Sequence, residues 1–264
     1  MNEAIVTTSW DDGHPSDLKL AELLREYDVP ATFYIPIDNF ERRSMTPQEI
    51  REIAQSFDVG GHTYHHVDLT RVPFQEVEGE IVKGKEELEK IIGRELLSFC
   101  YPRGKFNDET IDIVKAAGFV GARTVKSFTR SIEDPFRIGT TVYARDLKAT
   151  TYIRKAITSI DPGIFCFMLR NNLFFKGWDR IATETLDFVV KNGGIWHLWG
   201  HSWEIDDNND WRKLDEVLRI ISTLSGEALK VNNSQLIRRT LSKIEVIEIL
   251  NKLKFGCLIS CGEV

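Results

Sequence analysis

The apolar spacing changes period several times along this chain. A β-rich run, AIVTTSW (4–10), gives way to helical spacing in LKLAELLREY (18–27). ATFYIP (31–36), bounded by Pro30 and Pro36, predicts a second strand, and TPQE (46–49) predicts a helix start. There Thr46 is the cap, Pro47 takes the first helical position and Glu49 completes a capping box. DVGGH (58–62) predicts a short strand followed by a loop, and a long charged amphipathic helix follows over 74–92. LLSFCYP (96–102) and FVGARTV (119–125) are further strands, separated by a helix over 107–118 that ends at Gly118. After a less patterned middle, the aromatic segment GIFCFMLRNNLFFKGWD (163–179) predicts a core strand and a loop. DRIATETLDFVVKNGG is a helix with a glycine stop, GGIWHLWGH (193–201) a strand, and DWRKLDEVLRIISTL (210–224) a helix.

Repeated strand–helix units argue for a parallel sheet covered by helices, and at this length a (β/α) barrel is the economical closure. No Pro/Gly/Ser-rich linker or repeat interrupts the pattern, so residues 1–235 read as one barrel domain. Residues 236–264 read as a helical extension of the same domain. The composition agrees: 264 residues, 42% hydrophobic and 28% charged, suffice for one large core. A net charge of -6 argues against nucleic acid or an anionic membrane as the main partner. MNEAIVTTSW has neither a basic n-region nor an apolar h-region, and no apolar run is long enough for a membrane span. The expectation is a cytoplasmic protein without integral membrane association. Its four cysteines form no CxxC pair, and Cys257 and Cys261 read as a reduced, buried pair on one helix face.

The polar punctuation carries the chemistry. Asp11 and Asp12 follow the first strand, His62 and His66 the third, Pro102 to Lys105 the fourth, and His201 a late one. In a parallel barrel the C-terminal ends of all strands share one face, so these clusters converge there. In HTYHH (62–66) a helical turn would present His62 and His66 to one point, with His65 turned away. Two imidazoles and one carboxylate make a set of the kind catalytic zinc uses, and the adjacent aspartates offer two candidates for the third ligand. The aspartate that does not bind metal is free to act as a base. In a strand, His197, Trp199 and His201 share one face, and His197 reads as a core histidine one layer below the site or as a further site residue. Trp196, Trp199 and Trp203 are either a saccharide platform or packing, Trp178 is a weaker candidate for ligand contact, and Glu204 and Asp206 read as a solvated exit turn.

TSWDDG (8–13), VPATFYIP (29–36) and VGGHTYHHVDLT (59–70) together resemble the signature of the NodB-like polysaccharide deacetylases, carbohydrate esterase family 4. The resemblance runs from about residue 4 to about 235. It implies a distorted (β/α) barrel and metal-dependent removal of an N-acetyl group from an amino sugar. On its motifs, Asp11 is the general base, Asp12, His62 and His66 hold the metal, and His201 is the general acid. The metal would be zinc first, with cobalt, nickel or manganese as alternatives. The oxyanion would rest on the metal and a backbone N–H of the YPRG turn (101–104).

The third motif departs from the family. The run is FCYPRGKFN (99–107), with Cys100 at the place of the arginine that pairs the base and Arg103 at the place of a tyrosine. Tyr101, Pro102 and Arg103 would then line the sugar site with His197, Trp199 and Trp203. A carboxylate base beside a metal needs a cation or hydrogen-bond donor to keep it ionised, which Cys100 cannot supply. Arg123, on the next strand, is expected to give its guanidinium to Asp11, with Arg103 as the alternative donor. The substrate expected is an N-acetylated saccharide. The competing readings are a hydrolase of the same fold acting on a small amide or imide, and a non-catalytic carbohydrate-binding relative.

Overall fold

The computed structural model of the chain describes residues 3–158 and 161–244. Its strands are β1 (Ala4–Asp11), β2 (Ala31–Ile35), β3 (Asp58–Gly61), β4 (Ser98–Cys100), β5 (Gly121–Arg123), β6 (Val142–Tyr143), β7 (Gly194–Gly200) and β8 (Leu229–Lys230). They form one sheet in the order β5-β4-β3-β2-β1-β7-β6, with β8 added to β1, and every pairing is parallel. A bridge from Arg123 of β5 to Ile138, just ahead of β6, brings the far edges of the sheet together. The result is the expected distorted (β/α) barrel, curled rather than evenly closed.

The helices are α1 (Asp17–Glu26), α2 (Pro47–Ala54), α3 (Phe74–Ile92), α4 (Asp108–Ala116), α5 (Ala149–Ile157), α6 (Pro162–Arg170), α7 (Trp178–Asn192), α8 (Ser202–Asp207) and α9 (Trp211–Ser222). A further helix covers 233–244. The capping box of α2 is present, with Thr46 N–H donating to Glu49 Oε2 at 2.6 Å and Glu49 N–H to Thr46 Oγ1 at 3.3 Å. The segment 163–179 corrects the expectation of a strand, because it forms α6 and a short 3-10 turn over Leu173–Phe175. Asp161 caps it by accepting from Ile164 N–H at 3.0 Å, and Pro162 takes the first position. Apolar residues on several faces of that helix hid its period. Trp178 is wholly buried and donates to Asp210 Oδ2 at 2.9 Å, so it makes no ligand contact from this position. The helix over 233–244 starts ahead of the expected boundary at 236, and Leu236 and Ile237 are buried. Cys257, Cys261 and the rest of the expected extension lie outside the described residues.

Both faces of the central strands are buried, yet their sequences alternate. Val6, Trp10, Phe33, Ile35, Val59, Phe99 and Leu198 belong to the apolar core. The intervening residues make the lumen, and it is polar. Asn233 closes the floor, accepting from Thr7 Oγ1 at 2.8 Å and donating to Tyr34 Oη at 3.0 Å. Above it Ser9 Oγ meets His197 Nε2 at 2.8 Å, and above that lies Asp11. Burying polar groups costs little only when they are paired, so this column is a set of hydrogen-bonded tiers ending at the site. Among the described residues no helix is long and apolar enough to cross a membrane.

Candidate active site

The β1 strand delivers Asp11 at its last position, and the chain then turns sharply. Asp12 has φ 81°, a left-handed conformation that L side chains resist, and Gly13 follows at φ 59°. A Cβ on Gly13 would lie 2.8 Å from Ile35 Cγ2, so the turn also needs the absent side chain. Thr63, His66 and Arg103 adopt positive φ as well, so each of the three loops that carry these residues holds a non-glycine residue in the left-handed region.

The turn sends the two aspartates different ways. Asp12 Oδ1 lies 3.2 Å from His66 Nε2 and 3.7 Å from His62 Nε2, and it has no hydrogen-bond partner. Its other oxygen, Oδ2, accepts from Trp203 Nε1 at 2.8 Å. His62 Nδ1 donates to Cys100 O at 2.7 Å, which fixes the tautomer and turns the Nε2 lone pair toward Asp12. His62 and His66 come together without the expected helical turn, since residues 62–66 form a loop. The two left-handed residues within it do what a helix was expected to do.

Asp12, His62 and His66 offer ligand atoms within 4.8 Å of one another. Ligands about 2.0–2.1 Å from a tetrahedral ion lie about 3.3 Å apart, so small side-chain shifts would seat one. Burial and the charge of His62 push His66 down to about 4, which leaves it neutral as a ligand must be. Asp12 stays ionised: burial opposes its charge, but the His62, His201 and His66 rings hold it well below the usual carboxylate range. The orphaned Oδ1, the fixed tautomer and the neutral second imidazole all fit a divalent ion. Asp11, His62 and Cys100 are equally close, but burial keeps the Cys100 thiol protonated, and Asp11 is otherwise engaged.

That engagement is with Arg123, whose Nη2 donates to Asp11 Oδ1. The guanidinium is fully buried between the rings of Trp199, at 4.8 Å, and Tyr34, at 5.3 Å. Burial would raise Asp11, but the Arg123 charge, then His62 and His201, hold it below the ordinary range. Cys100 Sγ lies 3.7 Å from Asp11 Oδ2 and adds only a weak donor. Arg103, the alternative partner, instead pairs with Glu41 at the rim.

His201 faces the same point, with Nε2 3.8 Å from Asp12 Oδ2. Its Nδ1 meets Glu204 Oε2 at 2.8 Å and Tyr143 Oη at 3.2 Å. Glu204 is buried, which corrects its reading as a solvated exit turn, and it also accepts from Tyr143 and Arg145. Burial alone would lower His201, but the Glu204 bond and the Asp12 and Asp11 carboxylates outweigh it and raise the imidazole. The spacing His201-x-x-Glu204 at a helix start was the available signal. Tyr143 had none, because it lies in the unpatterned middle of the chain.

A cavity of about 350 Å³ opens onto these groups, lined among others by Asp11, Asp12, His62, His66 and His201. Arg103, Trp199 and Trp203 line it as expected. Tyr101, Pro102 and His197 do not. Tyr101 is buried and donates to Phe136 O at 3.1 Å, Pro102 is buried, and His197 lies a tier below, lowered to about 3 by burial and Arg123. Trp196 is core, donating to Thr185 Oγ1 at 3.1 Å. Trp199 stacks on Tyr143 with centroids 4.2 Å apart, so its ring forms a wall rather than a free platform. His65 points away to Glu80. In the YPRG turn the N–H groups of Tyr101, Gly104 and Lys105 are already bonded, which leaves that of Arg103 as the oxyanion candidate.

The curled (β/α) barrel carries its Asp-His-His cluster on the C-terminal rim, and comparison with known proteins adds to this. Residues 1–122 match the family described as polysaccharide deacetylase. A peptidoglycan-N-acetylglucosamine deacetylase of Bacillus cereus is 28% identical over 120 residues, covering 45% of this chain and 55% of that protein. A chitooligosaccharide deacetylase of Azorhizobium caulinodans is 29% identical over 120 residues, covering 44% and 56%. The chain thus spans about half the length of these relatives. A solved Mycobacterium smegmatis protein assigned to the polysaccharide deacetylases superposes with a TM-score of 0.65 at 17% identity, over 92% of this chain and 91% of that one. A family 4 carbohydrate esterase from Streptomyces lividans, in complex with acetate, gives 0.52 at 19% identity over 86% and 90%. At these identities the superpositions speak for the fold.

Proposed function

We propose that this chain is a metal-dependent hydrolase that removes the N-acetyl group from an amino sugar in a glycan or glycan precursor. One observation carries the reading: two adjacent carboxylates face one cavity in opposite settings, Asp12 against imidazoles and Asp11 against a guanidinium. The activities named for the relatives, on peptidoglycan and chitooligosaccharide, support the substrate class.

Asp12, His62 and His66 would hold a divalent ion, zinc first, with cobalt, nickel or manganese accepting the same donors. When bound, that ion acidifies water and polarises the acetyl carbonyl. Asp11, kept ionised by Arg123, takes the proton of the attacking water as general base. The Arg103 N–H faces the developing oxyanion. His201 holds its proton through Glu204 and delivers it to the leaving amine. Trp203 orients Asp12, and the Tyr143–Trp199 stack gives the sugar an apolar wall. The free thiols of Cys100 and Cys166 suit a reducing compartment, and cytoplasmic action is part of the proposal.

The test combines metal analysis with acetate release from a panel of N-acetylated saccharides and small cyclic amides. His62→Ala and His66→Ala should lose the ion. Asp11→Asn should keep it and lose roughly 10²–10⁴-fold in turnover. Full turnover in Asp11→Asn, or an ion held unchanged without both histidines, refutes the assignment.

A further inference from the structure

The charges lining the catalytic cavity are nearly all matched. Asp11 has Arg123, Asp12 has His62 and His66, Glu41 has Arg103, and Glu204 has Arg145 and His201. Lys155 is the exception. It stands on α5, lines the same cavity, and among the described residues has no carboxylate within ion-pair distance. Among the described residues the only hydrogen-bond partner of its ammonium is the hydroxyl of Ser127, at 3.2 Å.

Its surroundings make the imbalance costly. Val125, Leu147 and Trp199 line the cavity beside it, and burial together with Arg154 lowers the lysine below its ordinary range. A half-buried ammonium facing a cavity with a neutral partner is stabilised by any anion that enters. Among the described residues no carboxylate supplies that countercharge.

We infer that Lys155 is a specificity residue that receives an anionic substituent, carboxylate or phosphate, carried by the N-acylated sugar. This rests on the deacetylase reading and deepens it: the preferred substrate is an acidic amino sugar, not a neutral one. The acetyl group is worked on at Asp11, Asp12 and His201 while the substituent is held on the α5 wall.

The experiment compares N-acetylglucosamine oligomers with two acidic probes, the 3-O-lactyl ether of N-acetylglucosamine and N-acetylglucosamine 6-phosphate. Both kcat/KM for acetate release and equilibrium binding are measured on metal-loaded protein. The wild type should favour at least one acidic probe by roughly tenfold or more, and added salt should erode the preference. The probe that is favoured identifies carboxylate or phosphate. Lys155→Gln should abolish the preference through KM while leaving turnover of the neutral oligomer unchanged, and Lys155→Arg should restore it. Equal handling of neutral and acidic probes by the wild type overturns the inference, and needs no variant to fold. A preference that survives Lys155→Gln overturns the assignment to this lysine. If acetate is released from no sugar, the deacetylase reading fails, and the binding measurement still decides whether Lys155 selects anions.

Discussion

Replacing Arg123 with methionine would strand a charge. Arg123 is 0% exposed and Asp11 3%, so the pair is buried apart from the cavity that Asp11 lines. Without the guanidinium, Asp11 keeps only the Cys100 thiol at 3.7 Å as a local donor. Breaking a buried ion pair by removing one partner costs about 3–5 kcal/mol, a large share of the roughly 5–15 kcal/mol that stabilises a domain. For a chain of this size that corresponds to a fall of about 6–20 °C in Tm. The guanidinium also leaves Nε and Nη1 without hydrogen bonds, so its stabilising contacts are Asp11 and two aromatic faces. The informative comparison is therefore a double-mutant cycle. Arg123→Met and Asp11→Asn each strand one charge, whereas the double variant strands none and should be more stable than either single. Urea unfolding in the presence of a chelator reads all four proteins. The pH dependence has a definite sign. In the wild type Asp11 is depressed, so its stabilisation is present above the ordinary carboxylate range and lost as pH falls through the lowered value. In Arg123→Met the largest charge opposing burial is gone and only His62 and His201 remain, so Asp11 rises from its wild-type position and that variant should lose less stability than the wild type as pH falls. A loss below about 1 kcal/mol, or singles that add without coupling, would refute the reasoning.

Glu204→Gln removes the strongest support of the His201 proton. Losing a hydrogen bond to a charged group, about 1.5–3 kcal/mol, should move the alkaline limb of the rate profile about one to two units down. An unmoved limb would separate Glu204 from His201. Trp203→Phe keeps a ring beneath Arg42, 3.8 Å away, but deletes the donor to Asp12 Oδ2. Metal affinity should fall about 10–100-fold, read by competition with a chromogenic chelator, and unchanged affinity would mean that the bond does not orient Asp12. Gly13→Ala combines φ 59° with a Cβ 2.8 Å from Ile35, and a loss of about 2 kcal/mol, or roughly 4–8 °C in Tm, is expected by calorimetry.

What was legible in the sequence was what local rules govern. The limits of α3 follow from its period, and the α2 start follows from Thr46, Pro47 and Glu49. Arg123 was found by asking what cation replaces the one missing at Cys100, an electrostatic requirement that the sequence states without a structure. The HTYHH loop was misjudged because i,i+4 spacing implies convergence in a helix, whereas two left-handed residues achieve it in a loop. Tyr143 escaped because residues 124–147 are held mainly by loop hydrogen bonds, such as Thr124 N–H to Ile138 O at 2.7 Å, and such segments show no hydrophobic period. Tyr101 packs in the apolar core against Phe99 and Phe106 instead of lining the sugar site, and His197 stayed open between core and site because strand alternation gives the face of a residue and not its depth.

The position of β1 has a consequence for how the chain must be made. β1 pairs with β2, close by in sequence, and on its other side with β7 from Ala4↔Gly194 to Trp10↔Gly200. The floor beneath it is Asn233, whose amide bonds groups 199 and 226 residues earlier. A nascent chain that has released β1 to β5 therefore holds every residue of the matched segment 1–122, yet one edge of its central strand is open and its lumen has no base. Such an edge is a template for pairing with another chain, and non-local contacts of this kind form slowly. The matched stretch thus lacks the partners that complete its central strand and its floor. Asp11 is held beside Arg123 on a strand that is completed only by β7 and by the helix over 233–244, so assembly of the site waits for those later elements.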